Sequence, residues 1–250
     1  MFSEFGPVHE AAYGTALQTR ATAPRIAVLG AGHVGPILAR AAAAVGYTVR
    51  ISSSSDPDGI ALITQVLAPG AEPMWAAEAI EASDVIVLAV PVSKFQTIDP
   101  ALVAGKVVID PMNYWPPVDG RQPIFEHAGV SSSEIVARRF PNSSIVKTFN
   151  HLGYHQIDAE RRPAGSPERR ALGVAGDDES AVRLVGGIVE RIGFDVVKLL
   201  NLAAGRVLEP GGPVFGVPLS RPEFDRALRD HSPALDLRPV LAGIQEDGRR

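Results

Sequence analysis

The sequence predicts an α/β protein in which a doubly wound parallel sheet is followed by a second, smaller α/β domain. Three observations support this class. A G-x-G-x-x-G pattern near residue 30 lies between an apolar run and an alanine-rich segment; further apolar runs alternate with helix-forming segments up to residue 150; and another strand–helix–strand pattern follows residue 170. We therefore divide the chain into a loosely held N-terminal arm (1–23), a first domain (24–150) and a C-terminal domain (151–250).

The glycine pattern lies between the first predicted strand and the first predicted helix. Ile26–Leu29 is a short apolar run typical of a buried parallel strand, and segment 36–46 is rich in helix formers and ends in glycine. Gly30 can take the tight turn, Gly32 leaves room for a pyrophosphate, and Gly35 lets the helix pack on the strand. The helix N-terminus would hold the negative charge of the ligand. The pattern therefore predicts a Rossmann dinucleotide-binding domain, and the predicted cofactor contacts at this turn are Gly30, Gly32, His33, Val34 and Gly35.

The end of the second strand, residues 47–51, decides the cofactor type in this fold. An acidic residue there accepts hydrogen bonds from the ribose of NAD and repels the 2′-phosphate of NADP. The strand instead runs into four serines without an immediate carboxylate, which favours NADP. Arg50 lies inside the strand and could point either way, and Asp56 could serve NAD if the strand ends late. We predict NADP as the cofactor, with NAD not excluded, and we add three contacts: Ser52, Ser53 and Ser54.

The remainder of the first domain alternates strands with helices. We predict strands over residues 84–91, 106–110 and 144–150, and helices over 58–67, 76–82 and 132–140, the first of these capped by Asp56 or Asp58. In a doubly wound sheet the carboxyl ends of the strands line the ligand crevice. We therefore expect four further residues near the dinucleotide: Ala89, Val90, Pro91 and, in the loop after the next strand, Asn113.

The pattern changes after Asn150. Residues 158–170 are charged and contain prolines, so we expect a surface loop. A strand at 171–176, a helix at 179–192, a strand at 194–199 and a helix at 202–208 follow, and little pattern is visible beyond about residue 231. His151 and His155 are four residues apart, but loop chemistry does not direct both rings at one ion, so no metal site is predicted.

Composition and charge exclude several classes of function. The chain has 250 residues and a net charge of −4, which gives no electrostatic footprint for nucleic acid or an anionic membrane. Cysteine is absent, so disulfides, thiolate catalysis and cysteine-based metal sites are excluded. No apolar run reaches about 18 residues, and no signal-peptide layout is visible. We therefore expect a cytoplasmic protein that acts on a small molecule, without nucleic-acid or membrane partners.

Five motifs, in order and at their intervals, carry a resemblance to a known family. They are Gly30–Gly35, Leu88–Pro91, Val146–Asn150, Gly176–Ala181 and Gly205–Pro210. Together they resemble the NADP oxidoreductase family that uses coenzyme F-420, over about residues 25–216. The resemblance implies an oxidoreductase with a Rossmann domain, a small C-terminal α/β domain and a cleft in which a deazaflavin lies over nicotinamide. Hydride would then pass between coenzyme F-420, as co-substrate, and NADP(H).

The same resemblance implies which residues border the substrate. The deazaflavin side of the cleft would be lined by Asn150, His151, Leu152, Leu208 and Glu209. Among these, His151 is the best candidate for a hydrogen bond to the substrate ring. Because the two cofactors carry the redox chemistry, the protein has to supply proximity and orientation, and no side chain is obliged to be a catalyst.

Several alternatives stay open at the level of sequence. Family members usually have Gly-Ser-Arg where this chain has Ser52–Ser54, which leaves the nicotinamide preference open. The same fold could use NADPH to reduce an imine, carbonyl or flavin directly, and then His151, Tyr154 or Lys147 would be the proton donor. A non-enzymatic sensor that binds NADP is the third possibility. Whether the chain forms a homodimer is also left open.

Overall fold

One eight-stranded sheet organises the protein, whose computed structural model describes residues 23–126 and 129–231. In their order across the sheet, the strands are β3 (Ala71–Pro73), β2 (Val49–Ser52), β1 (Ile26–Leu29), β4 (Val85–Leu88), β5 (Val107–Asp110), β6 (Ser144–Lys147), β7 (Ala171–Gly176) and β8 (Asp195–Lys198). Strands β1 to β6 run parallel to one another, β7 is antiparallel to β6, and β8 is parallel to β7. The strand order reverses between β1 and β4, which confirms the predicted doubly wound α/β class.

The helices cover both faces of the sheet. Within the described residues they are α1 (Val34–Ala44), α2 (Pro57–Leu67), α3 (Ala76–Glu81), α4 (Pro100–Val103), α5 (Pro116–Asp119), α6 (Ser132–Arg139), α7 (Tyr154–Ala159), α8 (Glu179–Ile192) and α9 (Arg221–Asp230). One apolar core joins the sheet to α1 and α8, and includes Leu38 and Val185. A second core joins it to α3 and α6, and includes Ile80 and Val136. Alternate residues of β1 contribute to the two cores, as expected for a strand buried on both faces.

Side-chain caps fix where several helices begin. The Asp56 carboxylate accepts the backbone N–H of Asp58, so Asp56 is the cap of α2, one of the two residues that the sequence predicts for this position. The Asp178 carboxylate accepts the N–H groups of Ser180 and Ala181 and begins α8. These hydrogen bonds satisfy N–H groups that have no partner inside the helix.

The structure differs from the predicted elements in several places. Strand β3 has three residues and was not predicted, and neither was α9. Helix α7 begins at Tyr154, where the sequence predicts a loop, and Arg169 in the predicted surface loop 158–170 is only 6% exposed. Predicted strands 84–91 and 144–150 end earlier, at Leu88 and Lys147.

The two predicted domains share the sheet, because β6 of the first pairs with β7 of the second. Their division at residue 150 stays a prediction. The predicted arm lies, apart from Ala23, outside the described residues, as does the chain beyond His231. Within the described part of the chain, no helix has the length and apolar character needed to cross a membrane.

Candidate functional site

The turn between β1 and α1 requires glycine at two positions. Gly30 has φ of +122°, and a Cβ there would overlap the carbonyl oxygen of Ala89 at the end of β4. A Cβ on Gly35 would overlap the carbonyl oxygen of Gly30. The Gly30 N–H also donates to the Ser52 carbonyl at 2.8 Å, which ties the turn to the end of β2. The sequence therefore predicted the roles of these two glycines in turn formation and packing correctly.

Gly32 faces open space at the N-terminus of α1. Apart from Gly32 and its two chain neighbours, no heavy atom of the described residues lies within 4 Å of the position that a Cβ on Gly32 would take. His33 occupies the cap position without a side-chain cap hydrogen bond, and the first turn of α1, which begins at Val34, contains no acidic residue. Backbone N–H groups at the start of an eleven-residue helix therefore face an open space that carries no opposing negative charge from that turn. These residues fit the pyrophosphate of a dinucleotide.

An aromatic pair crosses from this turn to α7. The rings of His33 and Tyr154 are stacked, with centroids 5.3 Å apart and an interplanar angle of 15°. One end of α7 is thus held at the glycine turn, and Asp158 near its other end is paired with Arg40 of α1. Sequence reasoning included His33 among the cofactor contacts but missed its partner, because α7 was predicted as loop.

The serine run follows β2 directly, and its residues have different environments. The side chain of Ser52 is buried, Ser53 Oγ accepts the Ser55 N–H at 3.0 Å, and Ser54 is exposed. Strand β2 ends at Ser52, so the late strand end that would bring Asp56 to the ribose does not occur. Contact of Ser52, Ser53 and Ser54 with a cofactor stays a prediction.

Arg50 is turned away from this end of the sheet. Its guanidinium donates to the Ala82 carbonyl at 3.1 Å and lies 4.0 Å from a carboxylate oxygen of Glu72. Arg50 therefore does not supply the basic group that commonly binds a 2′-phosphate in this fold. Of the two orientations that the sequence left open, the structure has the one directed away from the cofactor site.

The ends of β4 and β5 supply the next predicted contacts. Ala89 and Val90 are half-buried and Pro91 is exposed, directly after β4. Beyond β5, the Asn113 side chain donates to the Asn150 carbonyl at 2.7 Å and accepts from Asn150 Nδ2 at 3.0 Å. The structure therefore brings a predicted cofactor residue and a predicted substrate-side residue together at the carboxyl edge of the sheet.

Lys147 is the centre of a buried ionic cluster at this edge. Its Nζ lies 3.6 Å from Asp110 Oδ2 and 3.9 Å from Glu209 Oε1, and it donates to the Met112 carbonyl at 3.0 Å. Lys147 and Asp110 are both fully buried. The N–H and hydroxyl of Ser132, at the start of α6, donate to Glu209. One ammonium group thus connects β5, β6, α6 and the turn after residue 208.

The backbone is strained just beyond Lys147. Phe149 has φ of +64°, a left-handed conformation that bulky side chains rarely adopt, and it is buried. Asn150 follows, and its side chain donates to the Leu208 carbonyl at 2.6 Å. Such strain persists only where the surroundings impose it, and it concentrates at functional sites. This turn is therefore the part of the C-terminal half in which local geometry indicates a function.

His151 is buried rather than exposed to a cleft. It is 1% exposed, its ring meets the Phe224 ring edge-on at 5.6 Å, and no described group has hydrogen-bond geometry to either ring nitrogen. Burial, with a smaller contribution from the charge of Lys147, lowers the pKa of His151 to about 4, although the nearby Ala171 backbone opposes the shift. The ring is therefore neutral near pH 7. Its hydrogen bond to a substrate ring stays a prediction.

The other predicted substrate-side residues have little exposed surface. Leu152 is 6% exposed and Leu208 is fully buried, with its side chain packed on Gly173. Glu209 is half-buried and accepts hydrogen bonds from Ser132. The structure brings Asn150, Leu208 and Glu209 to one edge of the sheet, but their contact with a substrate stays a prediction.

The fold and the turn define a class of protein. An α/β sheet with this strand order, and an open glycine turn at the N-terminus of its first helix, is a dinucleotide-binding arrangement. Residues 25–114 match the family described as NADP oxidoreductase, coenzyme F-420-dependent, which confirms the predicted resemblance over those residues. The prediction of an NAD(P)-dependent oxidoreductase is thereby confirmed.

Solved structures share the fold. A hypothetical protein from Sinorhizobium meliloti aligns with a TM-score of 0.69 and 27% identity, over 79% of this chain and 95% of its own. A candidate F-420-dependent NADP reductase from Arthrobacter aligns with a TM-score of 0.62 and 23% identity, over 79% of this chain and 100% of its own. An imine reductase from Pseudomonas aligns with a TM-score of 0.51 and 18% identity, over 90% of this chain and 74% of its own. A search of curated proteins gave no match.

Proposed function

We propose that this protein binds NADP(H) and transfers hydride between its nicotinamide and the deazaflavin of coenzyme F-420. The observation that carries the dinucleotide half of the proposal is the open space at Gly32, beside the free N–H groups of α1. A pyrophosphate there gains hydrogen bonds and a favourable helix dipole without displacing any described side chain. When bound, NADPH supplies the hydride, and the protein supplies its position.

The deazaflavin half of the proposal is supported by the family match over residues 25–114. A nicotinamide reaching from the glycine turn over β4 would pass Ala89 and Val90, whose small side chains leave room for a flat ring. The edge beyond β5 and β6 would then border the second ring. Asn113 and Asn150 hold each other there, which fixes the backbone of the turn that contains Phe149.

A single assay tests both halves. Purified protein is mixed with NADPH and oxidised coenzyme F-420, and the absorbance bands of both are followed. We expect both bands to decay together, because each hydride that leaves NADPH reduces one deazaflavin ring. If NADPH is consumed only with a flavin, an imine or a carbonyl compound, the deazaflavin half is wrong. If NADPH binds without turnover of any acceptor, the protein acts as a sensor and the redox proposal is wrong.

Gly32→Ala is the variant that links activity to the glycine turn. Its Cβ fits the fold, since nothing described beyond its chain neighbours lies within 4 Å, but it would occupy the space assigned to the pyrophosphate. Gly187→Ala in α8 is the matched control, because it also adds a Cβ in open space. We expect Gly32→Ala to melt like the wild type and to lose NADPH affinity by about tenfold or more. Equal NADPH affinity in the two variants would contradict the assigned position of the pyrophosphate.

A further inference from the structure

Trp75 lies at the carboxyl end of β3 with half of its side chain in solvent. It is 48% exposed and comes two residues after the end of the strand, at the start of α3. No described aromatic ring is paired with it. Single exposed apolar side chains are common on protein surfaces, so the place of Trp75 in the sheet, and not its exposure alone, carries the argument below.

The register of the sheet places Trp75 beside the serine run. Ile51 of β2 pairs with Pro73 of β3, and the Met74 N–H donates to the Ile51 carbonyl at 3.0 Å. Neighbouring strands are about 4.8 Å apart. Residues that follow Ile51 and Pro73 by two positions, Ser53 and Trp75, therefore leave the sheet side by side at its carboxyl edge.

The strand order decides which half of a dinucleotide reaches this place. With the pyrophosphate at the end of β1, one nucleoside lies over β2 and β3 and the other over β4 to β6. The residue type after β2 reads the adenosine ribose in this fold, so the adenosine half lies over β2 and β3. The base attached to that ribose would extend past Ser53 towards the edge strand β3, which Trp75 follows.

We propose that Trp75 is the stacking surface for the adenine of the bound dinucleotide. This inference rests on the proposed dinucleotide binding and adds the residue that holds its base. A purine stacked on an indole covers the apolar face that now meets water, and it does so without a hydrogen bond. Stacking reads the flat face of a base rather than its exocyclic groups. The site should therefore accept a hypoxanthine analogue of NADPH almost as well as NADPH itself.

The chain offers a matched control, because it has two tryptophans of equal exposure. Trp115, at the start of α5 beyond β5, is 49% exposed and lies on the opposite side of β1. The probe is 2′,5′-ADP, which carries the adenine, its ribose and the 2′-phosphate but no nicotinamide. Its affinity for wild type, Trp75→Ala and Trp115→Ala is measured by calorimetry, with circular dichroism as the check on folding.

We expect Trp75→Ala to weaken 2′,5′-ADP by about tenfold and Trp115→Ala to leave it unchanged. In the Trp115→Phe variant, where Trp75 is the only tryptophan, 2′,5′-ADP should quench the fluorescence and nicotinamide mononucleotide should not. If wild type and Trp75→Ala bind 2′,5′-ADP equally, or if no quenching occurs on binding, this inference is wrong while the proposed function stands. If wild type binds neither 2′,5′-ADP nor NADPH, the proposed function is wrong and the inference falls with it.

Discussion

Replacing Lys147 by methionine tests whether the buried ionic cluster holds the carboxyl edge of the sheet together. The substitution keeps a long unbranched side chain in a fully buried position but removes the ammonium group. Asp110 then loses its cation at 3.6 Å and Glu209 loses its cation at 3.9 Å. The carbonyl of Met112 loses a donor as well. The variant therefore leaves the buried Asp110 carboxylate without its cation.

The expected loss of stability depends on the hydrogen bonds that each carboxylate keeps. Breaking a buried ion pair by removing one partner costs about 3–5 kcal/mol. Asp110 keeps two donors, the Met112 N–H and the Ser133 hydroxyl, so we take the lower end, about 3 kcal/mol. Glu209 keeps the two donors of Ser132. For a protein of this size, about 3 kcal/mol lowers the melting temperature by about 6–12 °C.

The assay is urea and thermal unfolding of Lys147→Met beside Lys198→Met. The Lys198 side chain is 51% exposed and lies 3.9 Å from Glu179, so the same substitution there should cost at most about 1 kcal/mol. Adding Asp110→Asn to Lys147→Met should recover part of the loss, because it removes the unpaired charge. Equal destabilisation by the two lysine variants would refute the reasoning, since it would mean that the buried charges are compensated without Lys147.

Three further predictions concern stability. The pKa of His151 is about 4 in the folded protein and 6.5 in the unfolded chain, so the unfolded state binds a proton first as the pH falls. Up to about 3 kcal/mol of stability is therefore lost between pH 6.5 and pH 4. Urea unfolding at several pH values should show a smaller loss of stability for His151→Leu than for the wild type. Gly35→Ala should unfold at a clearly lower temperature than Gly187→Ala, because only the first places a Cβ against the Gly30 carbonyl, and equal melting temperatures would contradict the packing argument. Tyr154→Ala should lower the free energy of unfolding by about 1 kcal/mol through loss of the ring stacked on α1, and an unchanged urea midpoint would show that this stack contributes nothing.

The elements that the sequence predicts well have strong local signals. Helix α8 extends over Glu179–Ile192 as predicted, since its apolar residues recur at helical spacing, Asp178 caps its start and Gly193 ends it. Helix α7 has neither a side-chain cap nor a long apolar face, and only Ile157 is buried. Its stability comes from docking on α1, which is a tertiary effect that no local pattern shows. Strand β3 has three residues, too few for an alternating pattern to be visible.

The candidate site also contains features that local sequence predicts and features that depend on tertiary contacts. The glycine turn could be predicted because its spacing carries its own geometry, and the structure shows that a Cβ at Gly30 or Gly35 would overlap backbone atoms. The ionic cluster could not be predicted, because Asp110 and Lys147 meet only through the register of β5 with β6. Sequence reasoning considered Lys147 as a proton donor. The structure instead shows it in contact with two carboxylates and a backbone carbonyl.

The segment that follows β6 shows why the carboxyl edge of this sheet is a better candidate for substrate selection than the surface loops. Residues 147–151 include a lysine, a threonine, an asparagine and a histidine, all of them at most 3% exposed, around the left-handed Phe149. Several of their polar atoms, including Thr148 Oγ1 and both nitrogens of His151, lack a hydrogen-bond partner among the described residues. Each such atom costs stability, and a chain selected for stability alone would carry apolar residues there. Because β6 lies between β5 and β7, the sheet offsets this cost, and the polar groups can be kept for a task other than folding.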